Sequence, residues 1–125
     1  MPDSQDLLPL TPPVFHILLA LADGDRHGYA IMQDVERQTE GALQLGPGTL
    51  YGCLKRMLAA GLVEESSGPG LQLEAPSQAA PSDDDRRRYY RMTTLGTRTV
   101  RSEAARLAQA LSAAKSKRLF AGEKV

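Results

Sequence analysis

The feature that most restricts the fold is the order of its punctuation. Three short helix patterns, each closed by a glycine-containing stop, precede only two segments able to pair as strands. Leu62-Val63 opens the first segment, and Arg86 to Met92 forms the second. A lone two-stranded hairpin is marginal in water. It must therefore lie against the third helix, whose end at Gly61 directly precedes it. Three helices and a hairpin are the layout of a winged helix–turn–helix. The expected fold class is α+β, mostly α, with a long C-terminal dimerisation helix.

The helix limits follow from local chemistry. Thr11-Pro12-Pro13 supplies a cap followed by prolines in the first turn, where a missing N–H costs nothing. Val14, Ile17, Leu18 and Leu21 then recur at helical spacing, giving a helix from about 12 to 22. A second runs from Gly28 to Thr39, with Ile31, Met32 and Val35 inward. A third follows Gly46-Pro47-Gly48 and continues through Ala60, with Gly61 as a left-handed stop. In the returning strand Arg88, Tyr90 and Met92 share one face, and Arg87, Tyr89 and Arg91 the other. Thr93 or Thr94 caps a last helix reaching about Arg118, about 36 Å long. On it Val100, Ala104, Leu107, Leu111 and Ala114 fall at steps of four, three, four and three, a stripe suited to pairing with a second copy. The expected organisation is a flexible arm at 1–10, a winged-helix domain at 11–92, the C-terminal helix at 93–120 and a tail at 121–125. Gly, Pro, Ser and Ala dominate 66–85, which reads as a long mobile wing loop.

The 125 residues suit one domain, and their zero net charge conceals a strong polarity. Residues 1–46 carry a balance of −5, 47–63 of +2, 64–85 of −6 and 86–125 of +9. A polyanion meets a local patch and not the average. Cys53 is the sole cysteine, which excludes an internal disulfide and any multi-cysteine metal site. His16 and His27 have no ligand spacing around them, and no nucleophile elbow, phosphate loop or paired-carboxylate motif occurs. No catalysis, cofactor or metal is expected. No apolar run reaches the ~18 residues of a membrane span, and the polar Met1-Pro2-Asp3 start is unlike a secretory leader, so a cytoplasmic location is expected.

Three ordered segments resemble the PadR family of bacterial transcriptional regulators. They are HGYAIMQDVE at 27–36, LGPGTLYGCLKRMLAAGLVEE at 45–65 and RRRYYRMTTLG at 86–96. The resemblance covers residues 11 to about 112. It implies a homodimeric repressor that binds a double-stranded DNA operator and dimerises through its C-terminal helix. In some members a small aromatic effector releases the DNA. Here the effector's identity is open.

The residues themselves point the same way. A recognition helix presents small or polar groups at its N-terminal end, as Gly48 and Thr49 do. Tyr51 lies off the Leu50 and Leu54 face, and Lys55 one turn on points the same way. Tyr51 is either a base or phosphate contact or a half-buried packing aromatic. Lys55 and Arg56 are contacts or merely solvated. Arg86, Arg87 and Arg88, with Tyr89, can track the backbone or enter the minor groove, or only solubilise the loop base. Tyr29 can reach a phosphate or belong to the core. His27 reads as a helix-start or packing residue, and Cys53 as a small, semi-buried one. The competing function is a winged-helix module that binds protein or senses a ligand without specific DNA binding. A protein-binding module would favour an acidic or apolar third helix, and this one is neither.

Overall fold

The computed structural model describes residues 7–66 and 88–119. Helices α1 (Pro12–Leu21), α2 (Gly28–Gln38) and α3 (Pro47–Ala60) precede strands β2 (Val63–Ser66) and β3 (Tyr89–Met92) and the long α4 (Thr94–Ser116). The expected loop beyond Ser66, together with Arg86 and Arg87, lies outside the described residues.

Local signals set these limits as the sequence reading expects. The Thr11 hydroxyl accepts the Val14 N–H, and Pro12 and Pro13 occupy the first turn of α1. Gly61 ends α3 at φ 82°, a left-handed conformation in which other residues are strained. Thr93 caps α4 by accepting the Gly96 N–H at 3.0 Å, and its hydroxyl donates to the Gly61 carbonyl at 2.5 Å. One threonine thereby ties the start of α4 to the end of α3.

The sheet departs from the expected two-stranded hairpin. Arg26 and His27 form an additional short strand, β1, and the order is β1-β3-β2, antiparallel throughout. Arg26 pairs with Tyr90 and His27 with Tyr89, while Glu65 pairs with Tyr90 from the other side. β2 thus covers one edge of β3, and β1, just before α2, covers the other. Tyr90, in the central strand, joins Ile17, Leu18, Ile31, Leu50 and Leu54 in one core.

The N-terminal segment also differs from a free arm, because Leu7 and Leu10 pack against that core. The Leu10 N–H donates to Glu103 at 3.1 Å. Glu103 is 1% exposed, and Arg106 grips both its oxygens at 2.6 and 2.9 Å. The Arg106 hydrogen bond holds this carboxyl below its ordinary value near 4.5, against the opposing effect of burial, and the Leu10 N–H adds to it. A depressed carboxylate contributes stability that is present above its unfolded value and lost as pH falls through the folded one. Urea midpoints should therefore drop for the wild type below about pH 4.5, and Glu103→Gln should lose that part of the acid dependence. Parallel midpoint curves for the two proteins from neutral to acid pH would contradict this role.

Candidate nucleic-acid interface

The surface begins with α3. Leu50, Cys53, Leu54 and Met57 turn inward, all 2% exposed or less. Gly48, Thr49, Lys55 and Arg56 are consequently exposed. Gly46 caps the helix without a side-chain hydrogen bond, which leaves the first-turn N–H groups to an incoming acceptor. Gly52 was not singled out from the sequence. It sits on the outward side between Thr49 and Lys55, and its missing side chain keeps that face flat. The Arg56 guanidinium folds back beside it, 3.7 Å from where a Cβ would stand, and reaches the Cys53 sulfur at 3.5 Å. Cys53 itself is buried.

α2 contributes its first turn. His27 caps it, with ring Nδ1 accepting the Ala30 N–H at 3.2 Å, which requires that nitrogen to be unprotonated. Tyr29, the next residue but one, is 60% exposed, so its ring belongs to the surface and not to the core. Tyr51 of α3 is half-buried against the core, and its hydroxyl occupies the space that a side chain on Gly28 would need. Gly28 therefore lets α2 and α3 close on each other.

The wing root completes the surface. Arg88 is exposed, whereas Tyr89 is half-buried with its ring edge-on to His27 at a centroid distance of 5.4 Å. Arg91 is paired with Glu64 at 2.9 Å on the outer face. Burial pushes the Tyr90 phenol above its ordinary 10.0, with a hydrogen bond from Arg88 opposing the rise. The start of α2 thus touches both α3, through Gly28 and Tyr51, and the wing root, through His27 and Tyr89.

Of the expected pairing stripe, Val100 is 8% exposed and belongs to the chain's own core, because the first turns of α4 pack on α1 and β3. Ala104, Leu107 and Leu111 are exposed and Ala114 is half-buried. A cleft of about 220 Å³ opens between the N-terminal segment and α3, walled by Leu7, Leu10, Val14, Met57 and Leu62 with Arg56 at its edge. Among the described residues no three His, Cys, Asp or Glu side chains gather to hold a metal, and no helix is long and apolar enough to cross a membrane.

Residues 17–102 match the family model described as "Transcriptional regulator PadR-like family". The chain belongs to this family. A curated relative, uncharacterized protein X of Lysinibacillus sphaericus, is 31% identical over 80 residues, 64% of this chain. That match takes in 63% of the relative, so the chain spans less than two thirds of its length. The fold is similar to the crystal structure of a PadR family transcription regulator from Clostridium difficile R20291. The TM-score is 0.63 at 20% identity, over 85% of this chain and 97% of that one. A PadR-like transcriptional regulator from Bacillus cereus gives 0.59 at 20% identity, over 88% and 92% of the two chains. The fold of this PadR-like chain is thus a winged helix.

Proposed function

We propose that this PadR-like protein binds duplex DNA as a homodimer and represses transcription from a pseudo-palindromic operator. The N-terminal half of α3 enters the major groove of each half-site, and Tyr29 and the wing root lie along the flanking backbone. One observation carries the reading: the outward side of α3 holds two cations and no acid, and beside it lie its own first-turn N–H groups and the start of α2, which carries the exposed Tyr29. Such a surface suits phosphate, and Gly48 and Gly52 let the backbone come close to it. The exposed half of α4 supports a second copy as partner. The aliphatic cleft beside Arg56 carries no aromatic lining that would favour the aromatic effector of some relatives.

The test is a salt titration by fluorescence anisotropy on the promoter beside the coding sequence and on a random duplex. Each neutralised phosphate steepens log affinity against log salt by about 0.9. Changing Arg86, Arg87 and Arg88 together to Ala should weaken both duplexes and flatten the slope by about one to three units. Thr49→Ala should instead cost the operator more than the random duplex, because base-edge contacts carry the sequence information. An unchanged slope in the triple variant removes the wing from the interface. A wild type that binds neither duplex at low salt favours a protein-binding winged helix.

A further inference from the structure

We propose that Asp25 is a positioning residue whose carboxylate clasps Ser66 and so fixes the wing end of the sheet to the start of α2 for docking on DNA. This rests on the DNA-binding reading. The Ser66 hydroxyl donates to Asp25 Oδ2 at 2.6 Å, between residues 41 positions apart. That length suits a hydroxyl on an ionised carboxylate, about 2.5–2.7 Å. Asp25 immediately precedes β1 and Ser66 is the last residue of β2, and these strands lie on opposite edges of β3. The bond therefore bridges the two outer strands across the middle one. It does so beside the rung on which His27, Tyr89 and Ser66 pair.

The Asp25 side of the clasp is anchored. β1 runs directly into α2, where His27 caps the first turn and Arg26 donates to Asp34 at 3.3 Å. Tyr51 of α3 fills the space beside Gly28, so the start of α2 is seated in turn on the recognition helix. The Ser66 side ends a four-residue strand at the edge of the sheet, and so short an edge strand gains little from its own ladder. A wing end already registered to α2 and α3 has less freedom to lose when all three meet one half-site. Asp25 thus acts on DNA binding with two opposite signs. Its charge repels a polyanion, and its hydrogen bond places the wing.

The experiment is a double-mutant cycle of Asp25→Ala and Ser66→Ala, with Asp25→Asn beside it, read as affinity for the operator duplex with urea stability in parallel. Asp25→Ala and Ser66→Ala should each weaken operator binding about two- to tenfold, the contribution of one hydrogen bond. Charge alone predicts the opposite for Asp25→Ala, because losing an acid strengthens the hold on a polyanion. Asp25→Asn keeps an acceptor for the Ser66 hydroxyl and should bind at least as tightly as wild type. In the Ser66→Ala background, Asp25→Ala should cost nothing further. A contact that only stabilises the fold lowers the urea midpoint and leaves the affinity of the folded protein unchanged. That result overturns the proposal, as do independent, multiplying losses. In the free protein, Ser66→Ala should speed amide hydrogen exchange in β2 while α3 keeps its protection. Unchanged exchange in β2 overturns the clasp without reference to DNA. Failure of the wild type to bind any duplex would instead strike the DNA-binding reading, and this role with it.

Discussion

Gly96→Val should unfold the domain or lower its thermal midpoint by about 10 °C or more. Gly96 lies in the first turn of α4, and a Cβ there would fall on the Leu62 carbonyl oxygen and close to its carbon. That obstacle is main chain at the root of β2, so no rotamer change relieves it. Thr93 binds Gly61 and Leu62 from three residues upstream and prevents α4 from sliding away. Overpacking against adaptable side chains typically costs about 1–3 kcal/mol. A backbone collision under such a clamp belongs at or above that upper end. Gly48→Ala is the matched control, with nothing within 4 Å of the new methyl. It should be neutral or stabilise α3 by about 0.5–1 kcal/mol. Thermal unfolding by circular dichroism distinguishes the two, and comparable midpoints would refute the close-approach account of Gly96.

The helices were legible because their signals are local. Thr11 with its prolines, Gly61 and Thr93 each act within four residues, and the structure places them at the ends of α1, α3 and α4. β1 was not legible. Two residues have no period to detect, and Arg26-His27 is a strand only because the far edge of β3 lies open to it. The same holds for Leu10, whose N–H finds Glu103 across 93 positions of sequence. Aliphatics between prolines show no periodicity from which that contact could be read.

The site was partly legible for a related reason. A helical wheel puts Tyr51 off the Leu50 face, yet the start of α2 covers it, since Gly28 makes room for the phenol. The wheel knows one helix and not its neighbour. Val100 shows the same ambiguity from the other direction. Heptad spacing reads identically whether a residue faces its own core or a partner, and only the packing of α4 on α1 assigns Val100 inward. Alternation in β3 was more decisive, because Tyr90 inward and Arg91 outward follow from a period of two.

Leu107→Asp should convert a dimer into monomers and remove most operator affinity. The last buried residue of α4 is Glu103, and from Ala104 to Leu119 every residue is exposed except half-buried Ala114. Leu107 and Leu111 are 38% and 44% exposed on that projecting half, one turn apart. Burying a leucine fully contributes on the order of 1.5–3 kcal/mol. In a two-fold interface each substitution acts twice, and aspartate adds a charge that must be desolvated or kept apart. Dimer stability should therefore fall by several kcal/mol while the monomer's own core, which ends before Leu107, keeps its unfolding midpoint. Two linked half-sites gain about 10²–10⁴ in affinity over one through effective concentration. The variant should lose a factor of that order on the operator and far less on random duplex. Sedimentation velocity at micromolar protein reads the first effect and anisotropy on the two duplexes the second. A Leu107→Asp protein that still sediments as a dimer would move the interface elsewhere, and a wild type that sediments as a monomer would remove it.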